Sequence, residues 1–138
     1  MKYLIITLMV LYGCNGHAEE KIIRLIVKKA QKYSIDPKLA VAIAKTESSL
    51  NPKAKGLLGE VGLFQLRPEY HDTNVDMPHQ IEVAITYLAY VKERCEARYG
   101  DAWFICYNIG PYNKNVIRKP YQFDYYIKVM KNYGKLSL

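Results

Sequence analysis

Leu39, Ile43 and Glu47 follow one another at intervals of four residues, and Glu47 stands near the end of an apolar helical pattern, just before a stretch carrying Gly56, Gly59 and Gly62. Residues four apart share one face of a helix, so this carboxyl group borders the face that packs into the core. An acid set against apolar neighbours, at the helix end whose dipole disfavours negative charge, is expected to hold its proton near neutrality and to act as a general acid. The same spacing also fits a glutamate that rims the helix in water, and spacing alone leaves both readings standing.

Other chemistry-bearing residues are less well grouped. His71, Asp72, Asp76 and His79 have metal-ligating side chains but no recognised ligand spacing, so neither a metal nor another cofactor is expected. No serine or cysteine has an evident base near it in sequence, and Ser48 reads as a helix-end residue contacting backbone or ligand. Glu60 is a second carboxylate in the glycine-rich region. It reads either as a solvated loop charge, the favoured reading, or as a base or a group that binds the substituents of a ligand.

The elements that must position Glu47 are helical. Residues 19–34 carry Ile22, Leu25, Ile26, Ala30 and Tyr33 at helical spacing, with acids first and lysines last. Asp36-Pro37 is a helix opening, Asp as N-cap and Pro as first residue, for a helix over 39–50 that Asn51-Pro52 stops. A glycine-rich loop and a short Leu63-Phe64-Gln65-Leu66 turn follow. Pro78 begins a long helix to about Tyr99, Gly100-Asp101 turns, residues 102–108 form a further helical piece ending at Gly110-Pro111, and Phe123 to Tyr133 forms a tyrosine-rich helix. No alternating strand pattern of useful length appears, so the fold class is all-α, mainly helical, with a short hairpin allowed in the glycine-rich region. The 138 residues suffice for one core and not for two ordinary domains.

Lys2, the apolar run Tyr3 to Tyr12 and the small residues around Gly16-His17-Ala18 read as a signal peptide over 1–18, leaving one domain over 19–138. The run is too short for a stable membrane anchor, and it is apolar on all sides, unlike a first core helix. Leu11-Tyr12-Gly13-Cys14 also resembles a lipoprotein box, although Tyr12 is bulky there; cleavage after Ala18 is the favoured reading over acylation of Cys14. Cys95 and Cys106 then remain as a pair in an oxidising compartment, and a disulfide between them is expected, with two reduced core thiols as the alternative. Of the 20 basic residues only Lys2 lies in the leader, so the mature chain stays basic against its 13 acids. That balance suits an anionic polymer or surface. Nucleic acid is not expected as a partner, because the lysines are scattered over helix faces.

Three segments carry a resemblance to a known family. Thr46-Glu47-Ser48-Ser49, then Gly59-Glu60-Val61-Gly62-Leu63-Phe64-Gln65, then Cys106-Tyr107-Asn108-Ile109-Gly110 closely resemble, in order and approximate spacing, the E-S, G-x-x-G-L-x-Q and A-Y-N-x-G motifs of soluble, goose-lysozyme-like lytic transglycosylases. The resemblance covers roughly residues 21–134 and implies a lysozyme-like fold and cleavage of the β-1,4 bond between N-acetylmuramic acid and N-acetylglucosamine in peptidoglycan, leaving 1,6-anhydromuramic ends. It implies Glu47 as the catalytic residue; beside it, Ser48, Glu60, Phe64, Gln65, Tyr107, Asn108 and Tyr126 are read from their side chains as substrate contacts, with Tyr107 donating to Glu47 or to the sugar's acetamido group. The departures are Gly56 where the family usually has serine, and Glu60 and Cys106 where it commonly has alanine. Family analogy further implies a periplasmic monomer that acts on glycan strands and opens the wall locally for a secretion, conjugation, pilus or phage system. A goose-type hydrolase of the same bond and a non-catalytic wall-binding component are the alternative readings.

Overall fold

A computed structural model describes residues 16–138, so the apolar run and Cys14 lie outside the described residues. Among the described residues five helices follow in order: α1 (Gly16–Lys32), α2 (Pro37–Ser48), α3 (Met77–Tyr99), α4 (Ile105–Ile109) and α5 (Asp124–Gly134), with single 3-10 turns at Gly100–Ala102 and Pro120–Gln122. The Ala18–Glu19 boundary falls inside the first turn of α1. Among the described residues no helix is long and apolar enough to cross a membrane.

α2 begins as the sequence indicates, with the Asp36 side chain accepting from the Lys38 and Leu39 amides and Pro37 in the first turn. It is buried nearly all round, from Leu39 through Ala44, because α1 and α5 both pack on it. Ala40, Ala42 and Ala44 leave room for those neighbours. The helix ends at Ser48, two residues before the expected Leu50. Ser49 and Leu50 take left-handed backbone angles, φ 54° and 60°, which terminate it one residue after Glu47.

The long α3 starts on an Asp76 cap and buries one stripe, Ile81, Ala84, Ile85, Leu88, Val91, Cys95 and Tyr99, at alternating intervals of three and four. α1 packs against it, and α4 is joined to it by the Cys95–Cys106 disulfide, with Cα atoms 6.7 Å apart. Between α2 and α3 the glycine-rich segment forms no named strand. Two isolated antiparallel bridges, Lys55 with Val61 and Val61 with Leu66, are what the structure has of a hairpin.

Candidate active site

Glu47 lies in the last turn of α2 and is only 3 % exposed, which decides between the two readings of its spacing: it is an interior acid and not a rim charge. The Tyr125 hydroxyl donates to its Oε1 at 3.0 Å. Tyr125 reaches it because Tyr125 and Val129, one turn apart, form the buried face of α5 where that helix packs on α2. Further along, Asn132 donates to Thr46 Oγ1 at 3.0 Å and the Tyr133 hydroxyl donates to Asp36 Oδ2 at 3.0 Å, so α5 grips α2 near both ends. Two effects act on the Glu47 carboxyl in opposite senses: withdrawal from water favours the neutral acid, while the Tyr125 hydrogen bond favours the carboxylate. Burial, then the charge of Glu47, then the Tyr107 charge and the hydrogen bond itself hold the Tyr125 hydroxyl well above the usual tyrosine range, so it remains a neutral donor.

The turn beside the acid is fixed from two sides. The Ser48 hydroxyl lies within hydrogen-bond distance of the Ala44 carbonyl (3.1 Å) and the Leu63 carbonyl (2.7 Å), which ties the end of α2 to the turn. From α4, the Tyr107 hydroxyl donates to the Phe64 carbonyl at 2.6 Å. Burial, then the charge of Glu47, push Tyr107 well above its ordinary pKa, so this hydroxyl also keeps its proton. Gln65 takes a left-handed φ of 50° and its amide nitrogen donates to the carbonyls of Ala54 (3.2 Å) and Gly62 (2.9 Å), closing the loop onto itself.

Beside this turn is a cavity of about 700 Å³ whose lining includes Gln65, Arg67, Tyr87, Tyr107, Asn108 and Tyr112. Glu47 does not itself line it. Tyr107 connects the two, forming part of the wall while lying close enough to Glu47 to feel its charge. The wall is aromatic: the Tyr87 ring lies 5.7 Å from Tyr107 and 6.3 Å from Tyr90, His71 meets Tyr87 edge-on at 4.5 Å, and Tyr90 lies 6.4 Å from Tyr112 with their hydroxyls in contact. Flat apolar faces flanked by hydroxyl and amide groups are what a pyranose ring packs against.

The sequence-based site is therefore brought together in part. Gln65, Tyr107 and Asn108 converge on the cavity. Ser48 and Phe64 do not offer their side chains to a ligand: both are buried, the Ser48 hydroxyl serving the turn and the Phe64 ring serving the core. Glu60 is 5 % exposed, so the favoured solvated-charge reading is corrected; its carboxylate is turned inward and accepts from the Leu58 amide at 3.1 Å. Tyr126 stacks on Phe104 at 5.4 Å, away from the cavity lining, and it is the preceding residue, Tyr125, that meets Glu47. The sequence offered no local signal for that choice, since Tyr126 pairs with Met130 as Tyr125 does with Val129. Tyr87 and Tyr90 lie outside the three motifs, but their spacing of three on α3 puts them side by side in the wall.

Comparison with known proteins now adds to this geometry. A sequence model of the family described as "Transglycosylase SLT domain" matches residues 24–128. Membrane-bound lytic murein transglycosylase C of Haemophilus influenzae, in strains PittEE, PittGG and ATCC 51907 / DSM 11121 / KW20 / Rd, is 46% identical over 48 residues, 35% of this chain. The aligned stretch spans 13% of the length of each of these relatives. No solved structure matches the chain.

Proposed function

Because the chain belongs to the transglycosylase SLT domain family and has the family's all-α, lysozyme-like fold, we propose that it is a peptidoglycan lytic transglycosylase whose single catalytic group is Glu47. The observation that carries this reading is the Glu47 carboxyl group itself, buried at 3 % exposure, held by a neutral tyrosine and set beside an aromatic cavity. Glu47 protonates the glycosidic oxygen as the bond to C1 of N-acetylmuramic acid breaks. The sugar's own acetamido oxygen traps the cationic carbon, and its C6 hydroxyl then displaces that oxygen to close the 1,6-anhydro ring. Glu47, now a carboxylate, accepts the C6 hydroxyl proton, so the acid is regenerated and no water is consumed. The Tyr125 hydrogen bond, which favours the carboxylate, supports the first half of the cycle, in which Glu47 gives up its proton.

Asn108 and the tyrosines of the cavity wall hold the glycan, with Tyr107 fixing the turn between the cavity and the acid. The basic balance of the chain fits an anionic wall polymer. The matched relatives are named as membrane-bound murein enzymes, which supports a place in the envelope for this chain as well. Periplasmic export, followed by local opening of the wall for a secretion or conjugation machine, extends that reading.

Mass spectrometry of sacculi digested by the purified protein tests the proposal. Fragments ending in 1,6-anhydromuramic acid, lighter by one water than hydrolysed fragments, are the expected products; predominantly reducing ends would reject the transglycosylase assignment in favour of a hydrolase. Tyr125→Phe removes the donor on Oε1 and is expected to lower kcat about tenfold, equivalent to ~1.4 kcal/mol, close to the lower end of the range for one hydrogen bond to a charged group. Steady-state rates on soluble glycan fragments measure this, and an unchanged kcat would separate Tyr125 from the chemistry.

A further inference from the structure

Gly56 is a glycine for reasons of space. It is absent from the glycines with positive φ, so no backbone demand explains it. A β-carbon placed on it would overlap Glu60 Oε2, and would stand 2.7 Å from Glu60 Cδ and 2.8 Å from Gln65 Oε1. The Glu60 carboxylate thus fills the volume that any side chain at position 56 would need. The backbone holds the two residues together, with the Gly56 amide donating to the Glu60 carbonyl at 2.9 Å, while the Leu58 amide donates to Oε2 at 3.1 Å.

We propose that Glu60 is a positioning residue for the glycan cavity and that Gly56 is the seat it requires. Glu60 acts through its neighbours. Gln65 directs its amide nitrogen to the Ala54 and Gly62 carbonyls, which turns Oε1 toward the Gly56–Glu60 seat, and Gln65 is part of the cavity wall. Arg67, also in the wall, has its pKa raised first by its hydrogen bond to Glu69, with the charge of Glu60 as the smallest contribution. A buried carboxylate is a costly way to fill a space that a small apolar residue would occupy, and that cost points to its purpose: the Leu58 amide bond fixes it, and its bulk packs beside the Gln65 side chain. The inward orientation also separates this role from that of a second catalytic acid, since a group that activates water must face the substrate.

This inference rests on the reading of the cavity as a glycan site, and the experiment separates the two. Four variants, Glu60→Ala, Glu60→Gln, Gly56→Ser and Gly56→Ser/Glu60→Ala, are compared by thermal melting and by steady-state cleavage of soluble glycan strands released from sacculi. Glu60→Ala is expected to raise KM roughly five- to tenfold with a smaller fall in kcat, because wall geometry and not proton transfer is disturbed. Glu60→Gln, which keeps shape and an acceptor oxygen, is expected to recover most of that loss. Gly56→Ser alone is expected to lower the melting temperature, and the double variant to melt higher than Gly56→Ser, as a shared volume requires. Additive effects of the two substitutions on melting would overturn the seat, and so would an unchanged KM in Glu60→Ala. A kcat loss in Glu60→Gln as large as that in Glu47→Gln would overturn the positioning role and make Glu60 catalytic. If the wild-type protein cleaves nothing, the proposed function fails, while the melting of the four variants still decides whether positions 56 and 60 share one volume.

Discussion

Glu47→Gln is expected to lower turnover of purified sacculi by about 10² to 10⁴, the range that general acid catalysis supplies, while leaving the fold intact. Glutamine has the same shape and retains an oxygen that can accept the Tyr125 hydroxyl, so the packing of α5 on α2 is preserved. What it lacks is an ionisable proton for the leaving oxygen and a carboxylate to receive one afterwards. Because the side chain is buried, the variant also removes the desolvation of a potential charge, so its melting temperature should equal or exceed that of the wild type. Near-normal turnover with an unchanged melting curve would remove Glu47 from the chemistry.

Reduction of the Cys95–Cys106 bond is expected to destabilise the domain by about 3 kcal/mol, the value for a cross-link that closes a loop of this length in the unfolded chain. In a domain of this size that amounts to a fall in melting temperature of roughly 10 °C. Both cysteines are buried, and between them Trp103, Phe104 and Ile105 are buried as well, so the cross-link holds a loop of core residues onto the last turns of α3. Melting curves with and without a reductant measure the effect. Full thiol labelling of both cysteines in denatured, non-reduced protein would contradict the bond.

What was legible in the sequence was what depends on neighbours in the chain. Asp36-Pro37 marks the start of α2 because the cap and the ring act within one turn, and the stripe from Ile81 to Tyr99 marks α3 because helical periodicity is local. The end of α2 was less legible, since Ser49 and Leu50 are not residues that ordinarily adopt left-handed angles. The candidate site divides the same way. Glu47 could be singled out from Leu39 and Ile43 on its own helix, whereas its partner Tyr125 stands 78 residues away, next to the equally plausible Tyr126. Nothing local distinguishes two adjacent tyrosines except which face of α5 is covered. Glu60 was misjudged for a related reason: a charged residue between two loop glycines looks solvated until Gly56 is seen to vacate the space beneath it.

The separation between Glu47 and Tyr125 has a kinetic meaning. A contact that spans so much chain forms only after a large loop has closed, and such contacts belong to the slow part of folding. α1 and α2 can pair early from neighbouring sequence, but the acid acquires its tyrosine only when α5 docks. Glu47 thus meets its partner late, and a half-folded chain carries this glutamate without its tyrosine. Under the proposed function, cleaving power would accordingly arrive only with the completed fold.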